Sequence, residues 1–483
     1  MTDTSSWFLT HTLTGENVVT PLIDGQAALG EIQSQITALG AGDFCFYGSW
    51  IMYHDTTTLP GSTKTLKDEF IDAINRGADI RILLYKGMPD SSTYYNTDHR
   101  QTHVRVMNDI GAAGGQVIID THHPVQGSHH DKYAIFGKVD GFGGYRLTGF
   151  CGGIDPVYDR LDDPQHNATG ILGSYHGWHD VQAKVEGPAA TYLWYDFVNR
   201  WNSNDEAASA LKTETTHIPS ETYGISSGAL TGPRNQVEVL NTYSCSSLGY
   251  PSWFVPSGGV QTIQQAYVNA IANAQHYIYI ESPFFVDETI STALRDRLNQ
   301  NPPVYVIVLT NLYGGGEGYY LDANFDIIRE APASLPLFYP CQLVHADGTP
   351  IYVHAKLMIV DDVYYTLGSA NVTPRSMTMD TEINIGVVGD DVITYNHQGV
   401  DYEVRQSARD LRVALWQEHL QLASSDSLLE IPTALDTWLA SIGVAPSRVQ
   451  GNDPSTSQPG GIFETVGWMS WQNLIAHPTD HCI

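Results

Sequence analysis

The segment Ile351-Tyr-Val-His-Ala-Lys-Leu-Met-Ile-Val-Asp-Asp362, followed directly by Val363-Tyr-Tyr-Thr-Leu-Gly-Ser-Ala-Asn371, carries the reading of this chain. It predicts a strand bearing an imidazole and an ammonium, a turn at Asp361-Asp362, and a second strand closed by small polar residues. His354 and Lys356 stand two apart, so a strand puts both side chains on one face while Ala355 and Leu357 take the other. One face is then reactive and the other is core. Ser369 and Asn371 back the pair from the next strand, and together the four suit a tetrahedral anion such as a phosphoryl group. Lysine supplies charge, the hydroxyl and amide supply neutral donors, and the imidazole is the group able to attack or to move protons near neutral pH. A lone His-x-Lys is more often an ordinary strand with one satisfied histidine, because short motifs match by chance.

A partial second copy lifts this one above chance. Ser128-His-His-Asp-Lys-Tyr-Ala-Ile-Phe136 repeats His-x-Lys before an apolar strand, and Cys151-Gly-Gly-Ile-Asp155 takes the place of Gly368-Ser-Ala-Asn371. Two copies predict one shared site.

At 483 residues the chain exceeds what one core usually supports, so two domains are expected, over 1–220 and 235–483 with a tail in the second. The 53 acidic against 24 basic side chains give a net charge of −29, which argues against nucleic acid as a partner. It equally disfavours strongly anionic membranes, while a zwitterionic or small phosphodiester stays compatible. Cys45, Cys151, Cys245, Cys341 and Cys482 show no metal or disulfide-framework spacing. No apolar run is long enough for a membrane span. The first six residues lack the basic and apolar regions of a secretory signal, so the chain is expected to be cytoplasmic, to have lost a leader, or to leave the cell by another route. A charged fraction of 16% with plentiful Gly, Ser, Thr and Tyr leans towards export.

Along the chain, helices are expected at 23–39, 65–76 and 98–112, and strands at 43–50, 79–85 and 116–120. A hairpin follows, with strands near 133–136 and 145–150 and a tip over 137–144. A polar loop through Asp162, Asp163 and His166 leads to a strand from Asp180 and a helix ending at Arg200-Trp201. The Ser/Thr/Gly/Pro-rich stretch 213–236 reads as the crossing between halves. The order then restarts: helix at 260–271, strand at 276–283, helix at 288–299, strand at 304–309, helix at 321–331, strand at 342–345, the opening segment, and Glu382-Ile-Asn-Ile-Gly-Val-Val388. This is a twofold repeat of whole α/β units, each a mixed, largely parallel sheet covered by helices and related to the other by pseudo-twofold symmetry. The region after about 424 shows weak patterning, with Trp468-Met-Ser-Trp471 expected to pack back on the body.

With both copies in view, the chain resembles the phospholipase D superfamily, whose mark is His-x-Lys-x4-Asp twice, and in particular its eukaryotic-type enzymes. The resemblance rests on Thr121-His-His-Pro with Ser128-His-His-Asp-Lys132, Gly152-Gly-Ile-Asp155, and Trp178-His-Asp180 with Glu186-Gly-Pro188. It continues in Tyr277-Ile-Tyr-Ile-Glu-Ser-Pro-Phe-Phe285, Ile351 through Ser376 with Asp380-Thr-Glu382, and Leu411 through Leu420. It spans about residues 20 to 422. The second motif is complete, ending at Asp361, but the first has Gly137 where the family has aspartate. Asp140, three residues late, is a candidate substitute, and the family aspartate reads as structural.

The resemblance implies a metal-free displacement in two steps, with His130 as nucleophile and His354 as acid and base. Asp180 and Glu382 are the candidates to orient the two imidazoles, with the pairing left open. Lys132, Lys356, Asn371 and Ser369 would bind the non-bridging oxygens, and Asp155, being an acid, would orient a lysine or histidine. His122, His123, His129 and His130 lack a matching carboxylate or cysteine spacing, so neither a metal nor another cofactor is expected. Gly314-Gly-Gly-Glu-Gly318 lacks a Gly-Lys-Ser/Thr ending and is expected to be a flexible loop. Pro251-Ser-Trp-Phe254 is a candidate lipid contact. Asn371-Val-Thr373 matches a glycosylation sequon by chance.

The expected activity is a monomeric phospholipase D acting at a membrane or micelle surface. It would cut phosphatidylcholine-like lipids to phosphatidate and a free alcohol, with transfer to other alcohols. The alternatives are another phosphodiesterase or phosphatidyltransferase of the superfamily, or a phospholipid-binding protein without turnover.

Overall fold

The computed structural model of the chain describes residues 4–9, 12–56, 62–86, 99–124, 127–167, 177–205, 211–219, 224–225, 230–245, 250–312, 315–332 and 334–452. Trp468–Trp471 lie outside the described residues.

The first half runs β1 (Thr14–Ile23), α1 (Gly25–Thr37), β2 (Phe44–Ser49), α2 (Leu66–Asn75), β3 (Asp79–Tyr85), α3 (His99–Ala112), β4 (Gln116–Asp120), β5 (Tyr133–Val139), β6 (Gly144–Gly152), β7 (Trp178–His179), β8 (Val181–Glu186) and α4 (Ala189–Asp205). Short strand β9 (Leu211–Lys212) precedes the crossing and β10 (Gly224–Ile225) lies in it. The second half runs β11 (Asn235–Tyr243), β12 (Val260–Gln261), α5 (Thr262–Asn273), β13 (Tyr277–Glu281), α6 (Glu288–Leu298), β14 (Tyr305–Leu309), α7 (Gly315–Arg329), α8 (Ser334–Leu337), β15 (Phe338–Val344), β16 (Pro350–Val353), β17 (Leu357–Val360), β18 (Tyr364–Gly368), α9 (Pro374–Thr378) and β19 (Glu382–Gly389). A hairpin of β20 (Val392–His397) and β21 (Val400–Arg405) leads to α10 (Gln406–His419), then α11 (Ile431–Ser441) and β22 (Val449–Gly451).

The pairings repeat strand for strand. In the first half β4, β3 and β2 are parallel neighbours, and β2, β5, β6 and β8 continue antiparallel. In the second half β15, β14 and β13 are parallel, and β13, β17, β18 and β19 continue antiparallel. β1 pairs with β8, β11 pairs with β19, and β1 and β11 pair with each other. The two sheets therefore join edge to edge, and each half covers what would be a free sheet edge of the other.

Alternation along the strands sorts side chains into layers. Cys45 and Tyr47 of β2 face a core with Ile32 and Ile36 of α1, Phe70 of α2 and Ile110 of α3. Ile278 and Ile280 of β13 do the same with Ile263 of α5, Leu294 of α6 and Phe325 of α7. The opposite residues, Phe44 and Phe46, and Tyr277 and Tyr279, enter one continuous core with Phe197 of α4 and Trp416 of α10. That core takes side chains from both halves, so the fold is two α/β/α layers on a shared apolar centre.

Several expectations are corrected. β1 and β11 were not expected, yet they form the seam. The opening segment is not one strand: it breaks over His354–Lys356, between β16 and β17, which leaves those residues free of ladder pairing. The hairpin tip is narrower than 137–144, because β5 runs to Val139 and β6 starts at Gly144. Gly315–Gly318 form the first turn of α7 rather than a flexible loop. The region after 424 holds α11, whose Trp438 packs on Trp416 at 4.7 Å between ring centroids. Cys245 is held in a disulfide.

Candidate active site

Two backbone crossings bring the motifs together. His129 bridges to Thr381 in parallel register, and both His130 N and Asp131 N donate to Thr381 O at 2.9 Å. In the other direction β16 runs parallel to β7, pairing Val353 with His179, and His354 N donates to His179 O at 2.7 Å. Each motif histidine thus hangs on the residue just before the other half's carboxylate.

The side chains follow. His130 Nδ1 lies 2.9 Å from Glu382 Oε1 and 3.1 Å from Oε2. His354 Nδ1 lies 2.6 Å from Asp180 Oδ2. Both carboxylates are fully buried, while the His130 and His354 side chains keep 14% and 8% exposure. In each pair Nδ1 is occupied from inside, which leaves Nε2 as the nitrogen free to react. Trp50 stands edge-on to His130 at 5.9 Å and Trp178 lies 5.0 Å from His354, so each imidazole has an indole beside it.

The lysines are fixed by the same rule. Lys132 Nζ donates to His130 O at 2.6 Å, and Lys356 Nζ donates to His354 O. Asp155 Oδ2 lies 3.3 Å from Lys132 Nζ, while its Oδ1 accepts from Ser49 Oγ at 2.7 Å and from the amides of Trp50 and Ile51. Asp155 thus lies against the Lys132 ammonium. Ser369 is not placed as expected. Its Oγ donates to Glu382 Oε2 at 2.6 Å and accepts from Ile383 N, so the hydroxyl acts on the carboxylate rather than on a phosphate. Asn371 Oδ1 is buried without a hydrogen-bond partner.

Burial disfavours charge on the imidazoles. It drives His130 well below the usual histidine range, with Lys132 and Lys356 adding to the effect. His354 is driven down likewise by burial, then by Lys356, Arg160, Lys132 and His130 itself. The charges of both lysines thus bear on both histidines. Burial also pushes Glu382 up to about 8, aided by Asp380, and raises Asp180. Lys356 is lowered to about 7 by burial, against the pull of Asp180.

The missing first-motif aspartate has a structural explanation. Asp361 accepts from Gln275, His276 and Tyr277 amides and so ties the end of β17 to the start of β13. In the first half the tie runs the other way: Asp43, at the start of β2, accepts from Val139 N of β5 at 2.9 Å. A Cβ at Gly137 would sit 2.0 Å from the Phe44 ring. Asp140 Oδ1 accepts from Phe142 N and Gly144 N and so caps the hairpin.

The family model for phospholipase D matches residues 167–291 and 286–437, more than half of the chain, although neither match contains His130. The chain belongs to the phospholipase D family. It is 28% identical over 451 residues to phospholipase D1 of Schizosaccharomyces pombe, covering 72% of this chain and 31% of that protein. Phospholipase D A of Dictyostelium discoideum is 30% identical over 376 residues, covering 62% and 27%, and phospholipase D delta of Arabidopsis thaliana is 24% identical over 418, covering 61% and 48%. The chain thus spans about a quarter to a half of the length of these curated relatives. The fold is also that of the phosphatidylserine synthase of Haemophilus influenzae Rd KW20, at a TM-score of 0.51 and 12% identity over 79% of this chain and 85% of that one.

Beyond the family motifs, sequence reasoning missed Arg160 and Trp50. Arg160 is buried in the polar loop, with its guanidinium 3.6 Å from the centroid of Trp178. Trp50 follows β2, its ring 5.9 Å from that of His130 and 5.8 Å from the Lys132 ammonium. Neither has a spacing signal. His122, His123, His129 and His130 do not converge on one point: His122 and His129 turn to Asp120, His123 to Pro124 O, and His130 to Glu382.

Proposed function

We propose that the chain hydrolyses the distal phosphodiester of phosphatidylcholine-like glycerophospholipids through a phosphohistidine. The observation that carries this is the crossed pair of buried imidazole–carboxylate contacts with two lysines bearing on both rings. His130 Nε2 attacks phosphorus and the bond to the head-group oxygen breaks, with His354, made an imidazolium by the anionic phosphodiester bound beside it, giving that oxygen its Nε2 proton. His354 then takes a proton from water, the water oxygen bonds to phosphorus, and the bond to His130 breaks, which releases phosphatidate. An alcohol in place of water gives a phosphatidyl alcohol by the same steps. Lys132 and Lys356 balance the charge on the non-bridging oxygens.

Choline and phosphatidate release from phosphatidylcholine vesicles, with ethanol added to trap phosphatidylethanol, tests this. Release that disappears in His354→Ala supports the reading. No release from any lipid alongside turnover of a soluble diester favours another phosphodiesterase, and saturable lipid binding without turnover favours a binding protein.

A further inference from the structure

Behind Asp180 lies a second cluster that this chemistry does not use. Asp24, between β1 and α1, His166 of the polar loop, His179 of β7 and Glu418 of α10 each offer one ligand atom, all within 4.8 Å of one another. His179 Nδ1 lies 3.2 Å from Asp24 Oδ1 and 3.4 Å from Glu418 Oε1, and His166 Nε2 lies 3.2 Å from Glu418 Oε1. The edge of a tetrahedron with metal–ligand bonds of about 2.0–2.1 Å is about 3.3 Å, so these three separations are those of neighbouring donors on one ion.

A network of mutual hydrogen bonds would give similar distances, and His179 Nδ1 does make one with Asp24 Oδ1, but the contact of His166 with Glu418 is not one. His166 Nε2, Glu418 Oε1 and Asp24 Oδ2 are buried without a hydrogen-bond partner, although His166 and Glu418 are so close. Their side chains are 0% and 9% exposed. Their proximity is therefore not explained by a hydrogen bond between them. The outer nitrogens are held as metal-bound imidazoles usually are. His166 Nδ1 meets Asp162 Oδ2 at 2.6 Å, and His179 Nε2 meets Glu281 Oε2 at 2.9 Å.

From this geometry we infer that Asp24, His166, His179 and Glu418 form a structural site for a divalent zinc-type cation. Two imidazoles and two carboxylates suit zinc or a neighbouring first-row ion better than calcium or magnesium, which prefer oxygen alone. With all four positions filled by protein, the site leaves no coordination place for a reacting water, so its role is to hold α10 against the first half. His179 is also the residue whose carbonyl receives His354 N and which precedes Asp180, so the ion would fix one imidazole–carboxylate pair from behind. The inference does not depend on which diester is cut. The rival is a metal-free network in which protons on His166 and His179 offset the carboxylates.

The test uses the full chain purified without chelator, then stripped with dipicolinate and titrated with zinc sulfate. Elemental analysis is expected to find about one zinc per chain, and zinc to raise the thermal midpoint of the stripped protein by roughly 5 °C or more. His166→Ala and Glu418→Gln should each lower zinc affinity by at least roughly tenfold. Should His166→Ala misfold, the near-isosteric Glu418→Gln and the zinc X-ray absorption spectrum of the unmodified chain decide, with a first shell of nitrogen and oxygen including two imidazoles expected. A loaded chain without stoichiometric zinc, a midpoint indifferent to zinc, undiminished zinc in Glu418→Gln, or sulfur in the first shell would each overturn the site in favour of the protonated network.

Discussion

His130 and Glu382, separated by 252 positions in the chain, meet at 2.9 Å, and His354 and Asp180, separated by 174, meet at 2.6 Å. Each half therefore supplies a histidine whose carboxylate belongs to the other. A proton on Nδ1 can be held only when both halves are docked, which makes the seam part of the chemistry. Glu382→Gln and Asp180→Asn should each lower kcat by about 10²–10⁴ while moving KM little, because they spoil tautomer and charge without removing substrate contacts. Rapid quenching should separate them: Glu382→Gln slows formation of the phosphoenzyme, and Asp180→Asn slows both its formation and its hydrolysis. Wild-type rates in either variant would remove that carboxylate from the mechanism.

Lys356, with its ammonium lowered to about 7, sets an alkaline limb. As pH rises through that value the free protein loses a positive charge needed for the substrate phosphate, so kcat/KM should fall. Bound phosphodiester favours the charged form, so the limb in kcat should lie higher. Lys356→Arg, which stays charged, should lack the inflection even where its rate is lower. Stability moves the opposite way. Between about 7 and 10.5 the unfolded chain binds more protons at this position than the folded one, so the contribution of Lys356 to stability improves as pH rises. Lys356→Met should accordingly be more stable than wild type near neutrality, with the gap closing at high pH in urea melts.

Restoring the family residue at Gly137 should harm the protein. The added Cβ meets the Phe44 ring, and overpacking of this kind costs about 1–3 kcal/mol. Gly137→Asp is expected to lose that much in denaturant melts with no gain in turnover. Asp43→Ala and Asp361→Ala should each cost about 1–3 kcal/mol, because both strand amides lose a buried acceptor, whereas Asp140→Ala should disturb only the hairpin tip.

The sequence disclosed the parts whose chemistry is dense and local. His130, Lys132, His354 and Lys356 stand in motifs short enough to see, and the helices around them follow apolar spacing. The pairing of Asp180 with His354 was not legible, because it is a tertiary fact about two segments in different halves. β1 was hidden by Gly15, Glu16, Asn17 and Pro21, residues that read as turn or loop, and β11 by the Gly- and Pro-rich stretch before it. Both are recruited by pairing with each other and with β8 and β19, which local propensity does not report. The polar role of Ser369 was misjudged for a related reason: its neighbour Glu382 is only 13 residues away, but the competition between a carboxylate and a phosphate for one hydroxyl appears only in the folded site.

The approach to lipid gives a last test. Tyr250 is buried and its ring lies 5.8 Å from that of His122, so the segment Pro251–Phe254 is anchored beside the strand end that leads into the first motif. Phe254 packs on Tyr243 and Tyr250, whereas Trp253 is 73% exposed. An indole held outward on the segment beside the first motif is suited to the interfacial region of a bilayer, where its ring is buried and its N–H stays hydrated. Trp253→Ala should then lower turnover of phosphatidylcholine vesicles several-fold by weakening surface binding, since losing one such contact is worth on the order of 1–2 kcal/mol. Turnover of a short-chain, monomeric phosphatidylcholine should be unchanged, because Trp253 touches none of the reacting groups. Equal loss on both substrates would mean that the segment shapes the site itself, and no loss on either would remove it from the lipid surface.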